Sequence, residues 1–349
     1  MLQKAGYLTA LVGKWHLGDA EHYPEAHGFD INIGGTHWGA PQIYFYPYRG
    51  RGRFGSEFRY VPHLEFGQPG EYLTDRLTDE ALKIIDRAGD QPWFLYLAHH
   101  APHTPIEAKK PDVDYFSKKL QPSLHHQNPA YAAMVKSLDE SVGRVLARLE
   151  QRGLSRRTLV IFTSDNGGFI NKPRGQNLAV TDNFPLRSGK GSLYEGGLRV
   201  PLIVKWPGIT SSNSVCSEPV VLTDLFHPLM TVAKLPPGDN APADGVDLSS
   251  LLKNPGANLQ RDALFFHYPH YYQTTTPVSA VRAGPWKLLE YHEDRRVELF
   301  NLKEDPGEKT DLAKGMPDKA AEMLKRLQDW RESVGARMPT VNPDFKETK

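Results

Sequence analysis

The chain has 349 residues, of which 24% are charged and 39% hydrophobic, and its formal net charge is +1. This composition is ordinary for a globular protein, and the small net charge gives no general attraction to nucleic acid or an anionic membrane. No apolar run is long enough to cross a bilayer. The single cysteine, Cys216, excludes an intramolecular disulfide and a thiolate metal cluster. Any anion binding must therefore come from local clusters of side chains.

The first residues predict the end of one element and the start of another. Residues 2–7 are typical of the last turn of a helix that stops at Gly6, and residues 8–12 of a buried strand. A helix whose last turn opens the chain lacks its body. We therefore expect Met1 to be an internal methionine of a longer protein, or the domain to be truncated.

Polar side chains follow this first strand in Gly13-Lys-Trp-His-Leu-Gly18. Lys14 and His16 occupy alternate positions, so both can point to one side of the chain. A solvated lysine and a histidine that packs beside Trp15 are the alternative. Further on, His37, Trp38 and the aromatic segment as far as Tyr48 either line a sugar or aryl subsite or pack the loop itself.

The next helix and strand lead to a histidine-rich loop. Thr74 is expected to cap a helix that ends at Gly89, and residues 92–98 form an apolar strand that we expect to be covered on both faces. His99-His-Ala-Pro-His-Thr-Pro105 follows directly. Three histidines after a buried strand favour a functional site over structural histidines, and His103 lies between two prolines that restrict the loop.

A helix from Asn128 to Gly153 leads into the strand of residues 159–162. Because strands and helices alternate to this point, we expect a mostly parallel sheet with helices on its faces. Asp165 and Asn166 follow the strand, where open α/β sheets bind ligands, and oxygen donors suit Ca²⁺ or Mg²⁺. A simple Asp-Asn-Gly-Gly turn is the alternative.

The second half of the chain predicts a Gly-rich loop and then a smaller domain. Lys190 lies between two glycines in a segment that is not a P-loop, and it precedes the strand of residues 200–206. A helix over residues 220–233 and a Pro-rich connector over residues 236–243 follow. After residue 258, closely spaced short strands favour an antiparallel sheet, and a final helix follows them. We therefore expect one domain over residues 1–257 and another over 258–349.

Six polar residues stand at strand ends or in Gly-rich turns. They are Lys14, His16, His103, Asp165, Asn166 and Lys190. A hard metal ion together with several cationic side chains suits a tetrahedral oxyanion. The residues by themselves therefore predict sulfate or phosphate ester chemistry.

Several motifs, in this order, resemble those of the sulfatase family. They are Gly13-Lys-Trp-His-Leu-Gly18, His100-Ala-Pro-His-Thr-Pro105, Ser164-Asp-Asn-Gly167, Lys190-Gly-Ser-Leu-Tyr-Glu-Gly-Gly-Leu-Arg-Val-Pro201, and the C-terminal stretch from Val281-Arg-Ala-Gly-Pro-Trp-Lys287 to Glu298-Leu-Phe-Asn-Leu-Lys-Glu-Asp-Pro-Gly-Glu308. The resemblance implies an alkaline-phosphatase-like α/β fold with a mostly parallel sheet and a small C-terminal subdomain, in which an antiparallel sheet packs with a helix. It also implies an arylsulfatase-like sulfuric ester hydrolase.

The resemblance also assigns roles to the six residues. Asp165 and Asn166 correspond to ligands of Ca²⁺, with Mg²⁺ as an alternative. Lys14, His16, His103 and Lys190 correspond to the groups that hold the sulfate and the nucleophile. Among these, His103 with Lys190 would stabilise or protonate the leaving alcohol, and Lys14 and His16 would lie close to the nucleophile.

The sequence also departs from the family pattern. Family members carry a strand that ends in paired aspartates and a Cys-X-Pro-X-Arg motif whose cysteine becomes the formylglycine nucleophile, and neither is present here. Cys216 precedes Ser217-Glu-Pro219 and does not match. We therefore expect weak Ca²⁺ binding, absent or very low turnover, and unpaired edges beside the missing strand.

Three functions remain open from the sequence. The first is hydrolysis of a small-molecule or saccharide sulfate ester by a longer parent protein. The second is non-catalytic binding of sulfate or another anion. The third is hydrolysis of phosphate monoesters or diesters by a related enzyme. We expect no nucleic acid as a partner and no segment that spans a membrane.

Overall fold

A computed structural model describes residues 1–173, 177–235, 244–340 and 342–345. The chain divides into two compact units, the first with residues 1–161 and 204–259 and the second with residues 162–203 and 260–349. The change of unit after residue 259 lies close to the predicted boundary between residues 257 and 258. Residues 162–203, however, belong to the same unit as the C-terminal residues. The predicted Pro-rich connector, residues 236–243, lies outside the described residues.

A parallel sheet forms the centre of the first unit. The strands in this part of the chain are β1 (Leu8–Gly13), β2 (Ile31–Ile33), β3 (Gly50–Gly52), β4 (Gly55–Arg59) and β5 (Trp93–Ala98), and the parallel sheet contains β1, β2 and β5. β1 pairs in parallel with β2 on one side and with β5 on the other, and Leu8 to Gly13 align with Trp93 to Ala98. β3 and β4 form a separate antiparallel hairpin. This arrangement confirms the predicted parallel sheet and places the residues after β1 and β5 side by side.

The helices of the first unit are α1 (Leu73–Ala88), α2 (Lys110–Ser117) and α3 (Pro129–Gln151). α1 packs on β1 and β5, and α3 packs on α1 and α2. The Asn128 side chain accepts the backbone N–H of Tyr131 and so caps α3, as the sequence predicts. The predicted cap at Thr74 is wrong, because the helix begins at Leu73 and its N-cap is Tyr72, two residues before Thr74.

The apolar faces of these elements form two clusters. One joins Ala10 and Val12 of β1 to Leu73 and Leu77 of α1. Another joins Leu82 and Ile85 of α1 to Leu149 of α3. The expectation that β5 is covered on both faces is wrong, because the Tyr96 side chain is 47% exposed.

A short strand pair and three short helices complete the middle of the chain. They are β6 (Val160–Thr163), α4 (Glu195–Leu198), β7 (Leu202–Lys205), α5 (Phe226–Val232) and α6 (Ser249–Lys253). β6 and β7 form a two-stranded sheet of their own. In the described part of the chain, no helix has the length and apolar character needed to span a membrane.

An antiparallel sheet forms most of the second unit, as predicted. Its elements are β8 (Leu264–Tyr268), β9 (Val278–Ala283), β10 (Trp286–Tyr291), β11 (Val297–Asn301) and α7 (Pro317–Ser333). The strand order is β11-β10-β9-β8. One face packs against α7 through Leu288 and Leu327. The other face packs against Leu193 and Tyr194, which belong to the Lys190 loop.

Candidate functional site

The first group of predicted site residues lies after β1 and β5 of the first unit. The Lys14 N–H donates to the Ala98 carbonyl at 2.7 Å and so extends the strand pairing by one residue. Gly13 has φ +110°, and a Cβ at this position would lie 2.0 Å from the Ala98 oxygen. Only glycine permits this approach, which brings Lys14 next to the chain that continues into His99.

Two histidines follow β5 in an environment that keeps them neutral. Burial lowers the pKa of His99 to about 4, and its Nε2 contacts the Ser141 hydroxyl at 2.8 Å. Burial also lowers the pKa of His100 to about 3, and the nearby Lys14, His103 and His99 lower it further. Within the described structure, neither ring nitrogen of His100 has a hydrogen-bond partner. A buried ring with two unpartnered nitrogens is suited to receive a polar ligand.

His103 is fixed from both its backbone and its ring. Its N–H donates to the His100 carbonyl at 2.9 Å, and its carbonyl accepts from the Tyr44 hydroxyl at 3.0 Å. Its Nδ1 lies 2.8 Å from the Thr104 carbonyl oxygen. Because a carbonyl only accepts, Nδ1 carries a proton, and Nε2 is the nitrogen whose protonation can change.

His16 has a left-handed backbone conformation with φ +61°. Its N–H donates to the Thr36 carbonyl at 2.9 Å. Its ring lies against Gly39, where a Cβ would be 2.5 Å from the His16 Cε1. Lys14 and His16 therefore follow β1 and His103 follows β5, the two strands that pair in parallel in the first unit.

The second group lies in the second unit, where two Gly-rich segments bind each other. The Gly167 N–H donates to the Gly197 carbonyl at 2.9 Å, and the Lys190 N–H donates to the Gly168 carbonyl at 3.0 Å. A Cβ on Gly167 would lie 1.8 Å from the Gly196 oxygen. Asp165 and Asn166 therefore stand on a turn that is joined directly to the Lys190 loop.

Lys190 is partly buried beside a carboxylate. Desolvation lowers the pKa of Lys190, and the charge of Asp165 opposes this change. The Lys190 carbonyl accepts from the Thr274 hydroxyl at 2.7 Å. Gly191 lies directly against the Tyr272 ring, so no side chain fits there. A lysine with a lowered pKa gives up its proton more readily than a solvated one.

A buried ion cluster holds the other end of the Lys190 loop. The Lys287 ammonium lies 2.8 Å from a Glu195 carboxylate oxygen and 2.9 Å from one of Glu308. The Glu195 N–H also donates to Glu308 at 2.6 Å. All three residues are almost fully buried. This cluster ties α4 to the C-terminal sheet and to the turn that follows it.

The donors at Asp165 and Asn166 have the right chemistry for Ca²⁺ but are too few. Ca²⁺ takes about six to eight oxygen ligands, whereas this turn offers one carboxylate and one amide. The Asn166 Nδ2 donates to the Gly167 carbonyl, which leaves the amide oxygen as a donor for a cation. Among the described residues, no group of three or more His, Cys, Asp or Glu side chains is arranged to hold a metal.

Several residues of these groups were not singled out from the sequence. His100 lies in a quoted motif, but only its burial and unpartnered nitrogens distinguish it from the other histidines. Lys287 and Glu308 lie in the C-terminal stretch from Val281 to Glu308. Through their contacts with Glu195, this stretch holds one end of the Lys190 loop. Thr274 lies outside every motif, and no local pattern identifies it.

Comparison with known proteins places these features in a family. The model of the family described as Sulfatase matches residues 1–235. The chain belongs to the sulfatase family. A second model, described as N-sulphoglucosamine sulphohydrolase, C-terminal, matches residues 189–333. The predicted family is therefore confirmed for most of the chain.

Individual sulfatases resemble the chain over much of its length. A sulfatase of Formosa agariphila is 37% identical over 297 residues, which cover 77% of this chain and 52% of that protein. The N-acetylgalactosamine-6-sulfatase of Rattus norvegicus is 30% identical, over 98% of this chain and 69% of that protein. The chain thus spans about half to two thirds of these relatives.

Solved sulfatase structures confirm the predicted fold class. The crystal structure of Ps i-CgsB in complex with k-i-k-neocarrahexaose aligns with a TM-score of 0.77 and 30% identity, over 94% of this chain and 72% of that one. The fold of this sulfatase family member is therefore the alkaline-phosphatase-like α/β fold with a C-terminal antiparallel sheet.

Proposed function

We propose that this chain binds the sulfate group of a saccharide sulfate ester through Lys14, His16 and His103 of the first unit. The observation that carries the proposal is the meeting of Lys14 with the histidine run after two adjacent parallel strands. There the buried His100 offers two unpartnered nitrogens. Relatives named N-acetylgalactosamine-6-sulfatase, and a similar protein crystallised with an oligosaccharide, support a saccharide as the ester's alcohol.

The chemistry of these side chains suits a sulfate ester. An ammonium group at Lys14 donates hydrogen bonds to sulfate oxygens, and charge-assisted hydrogen bonds are stronger than neutral ones. We assign proton exchange with the ester's bridging oxygen to the His103 Nε2, because its Nδ1 is committed to the Thr104 carbonyl. His100 stays neutral near pH 7 and so adds hydrogen-bonding capacity without repelling Lys14.

The second group has chemistry of its own within the second unit. We assign Lys190 to proton donation, because its desolvated ammonium gives up a proton more readily than a solvated one. We assign Asp165 and Asn166 to a Ca²⁺ ion, which supplies positive charge to an anion when it is bound. Because the two donors fall short of a full ligand shell, the affinity of this chain for Ca²⁺ is weak.

Turnover by this chain is absent or very low under the same proposal. Cys216 is the single cysteine and does not lie in a Cys-X-Pro-X-Arg motif. Its thiol is exposed and forms no disulfide. Covalent catalysis without a nucleophile retains only the effect of binding and electrostatics.

Calorimetry with sodium sulfate tests the binding site, with 4-nitrophenyl sulfate as the turnover substrate. We expect saturable sulfate binding that Lys14→Met weakens about tenfold, as the loss of a charge-assisted hydrogen bond implies. Lys83→Met is the control, because the Lys83 side chain is 63% exposed on α1. Equal sulfate affinity in Lys14→Met and the wild type would refute the site, and rapid release of 4-nitrophenol would refute the predicted inactivity.

A further inference from the structure

A four-residue segment, residues 36–39, contacts His16 at both of its ends in the first unit. Its first residue, Thr36, accepts the His16 N–H through its carbonyl at 2.9 Å. Its last residue, Gly39, lies against the His16 ring, so closely that a Cβ would clash with three ring atoms. The two residues between these anchor points are His37 and Trp38. His37 and Trp38 therefore lie between two residues that contact His16, a residue of the proposed sulfate site.

His37, Trp38 and Tyr60 form a group of contacting rings, here called the aromatic platform. The Trp38 ring lies 4.9 Å from His37 and 5.0 Å from Tyr60, the latter edge to face. Tyr60 is 45% exposed. Trp38 is half-buried and His37 exposed. The platform therefore presents aromatic surface to solvent next to His16.

Polar groups fix the platform and border it. The Trp38 Nε1 donates to Glu57 at 2.9 Å, and the Arg59 Nε donates to the other oxygen of the same carboxylate at 2.9 Å. The His37 Nε2 lies 3.6 Å from Glu57. The hydrogen bond from Trp38 is the main reason that the pKa of Glu57 is lowered. Glu57 and Arg59 thus hold the indole ring in one orientation and supply hydrogen-bonding groups beside it.

Other aromatic residues of the same segment have a different environment. Tyr44 and Tyr48 are fully buried. Tyr44 packs on Tyr72 and supports His103 through its hydroxyl, and the Tyr48 hydroxyl donates to Glu71 at 2.7 Å. The sequence left open whether His37, Trp38 and the segment to Tyr48 line a subsite or pack the loop. In the structure the segment's inner tyrosines pack the loop, and only its outer residues form the platform.

We propose that the aromatic platform binds the pyranose ring of the saccharide whose sulfate group occupies the neighbouring Lys14 and His16 site. The inference rests on the proposed sulfate site and assigns the recognition of the sugar to Trp38 and Tyr60. A pyranose ring has apolar C–H faces that pack on aromatic rings and hydroxyl groups that bond to charged side chains. The platform provides both, because exposed ring surface lies beside the Glu57 carboxylate and the Arg59 guanidinium. A purely aryl alcohol makes no use of these charged groups.

Calorimetry and Trp indole N–H resonances test this inference. The titrants are galactose 6-sulfate, N-acetylglucosamine 6-sulfate, the same sugars without sulfate, 4-nitrophenyl sulfate, and sodium sulfate. In the wild type we expect a sugar sulfate to bind more tightly than sodium sulfate and to shift the Trp38 resonance, which Trp38→Phe identifies by its absence. Tyr60→Ala should lower the affinity for the sugar sulfate about tenfold without changing the affinity for sodium sulfate. Tyr115→Ala is the control, since Tyr115 on α2 is 49% exposed and should change neither affinity.

The outcomes separate this inference from the proposed sulfate site. If sugar sulfates bind without shifting the Trp38 resonance, or if Tyr60→Ala binds them like the wild type, the platform has no such role although the sulfate site stands. A preference for 4-nitrophenyl sulfate over every sugar sulfate overturns it as well. If sodium sulfate fails to bind but a sugar still shifts the Trp38 resonance, the platform is supported and the sulfate site fails.

Discussion

At the residue scale, His99 and His100 show how position changes a side chain that the sequence presents as one of three similar histidines. Their pKa values are lowered to about 4 and about 3 from a usual 6.5 because burial penalises the charged ring. His103, three residues further on, is instead held by the Thr104 carbonyl through Nδ1. The first two are therefore neutral near pH 7 and act as hydrogen-bonding groups.

This difference predicts an acid-sensitive fold. Below a pH of about 6.5 the unfolded chain takes up protons that folded His99 and His100 accept only near pH 4 and 3, so stability is complete above that pH and falls below it. For each histidine that stays neutral in the folded protein, the free energy of unfolding falls by about 1.4 kcal/mol for every pH unit below 6.5. Urea unfolding at pH 7, 6 and 5 should therefore show a smaller acid loss in His100→Gln than in the wild type. The exposed His125→Gln should lose stability as the wild type does, and an unchanged slope in His100→Gln would contradict the lowered pKa.

Asp165 and Asn166 lead to a prediction about Ca²⁺. One carboxylate and one amide should give a dissociation constant above about 1 mM, so 1 mM Ca²⁺ should stabilise the fold by less than about 0.4 kcal/mol. Thermal unfolding with and without Ca²⁺ measures this effect, which Asp165→Asn should remove. Asp139→Asn, at an exposed position on α3, is the control. Submicromolar Ca²⁺ affinity would show that further ligands complete the site.

At the element scale, the Lys190 loop depends on the ion cluster of Glu195, Lys287 and Glu308. These three residues come from α4, β10 and the turn after β11, and they are buried together. Removal of one partner from a buried ion pair leaves an uncompensated charge, which is more harmful than the absence of the whole group. The cluster therefore explains why residues far apart in the C-terminal stretch accompany the Lys190 motif.

We expect Lys287→Met to destabilise the protein by about 3–5 kcal/mol, because buried Glu308 loses its cation and buried Glu195 keeps only Arg282, 3.6 Å away. Urea unfolding monitored by circular dichroism measures this change. Lys303→Met, at an exposed position, should change stability by less than about 0.5 kcal/mol. The triple variant Lys287→Met with Glu195→Gln and Glu308→Gln should be more stable than Lys287→Met alone. The opposite order would show that the carboxylates need no cation.

At the scale of the whole molecule, the parallel sheet of the first unit is small. It contains β2, β1 and β5, so β5 lies at its edge, and β6 pairs with β7 in a different sheet. Within the described residues, β5 has one hydrogen-bonded neighbour, although its sequence is as apolar as a central strand. Exposed edge strands of this kind favour pairing between chains.

This edge predicts a tendency to aggregate that a charge should reduce. Tyr96 lies within β5 and is 47% exposed, so Tyr96→Lys adds a charge at low structural cost. We expect less light scattering during refolding for Tyr96→Lys than for the wild type. Tyr115→Lys, which adds the same charge on α2, should scatter as much as the wild type. Equal protection by both variants would attribute the effect to net charge instead of the edge.

The sequence by itself determined the order of the elements and the chemistry available at their ends. The strands at β1, β5 and β6, the capped helix α3 and the antiparallel C-terminal sheet follow from local periodicity and capping, which neighbouring residues set among themselves. The motifs also predicted the family, and the sequence shows that Cys216, the single cysteine, does not lie in a Cys-X-Pro-X-Arg motif.

Only the tertiary structure decided which residues of the same type are buried in the core, lie at the surface or form ion pairs. It made Tyr44 and Tyr48 part of the core while Trp38 and Tyr60 remained at the surface, and it gave Lys287 a partner 92 residues away in Glu195. Burial and long-range ion pairs depend on which faces of distant elements meet. No local pattern contains that information, because the same side chain is neutral or charged, core or surface, according to what packs against it.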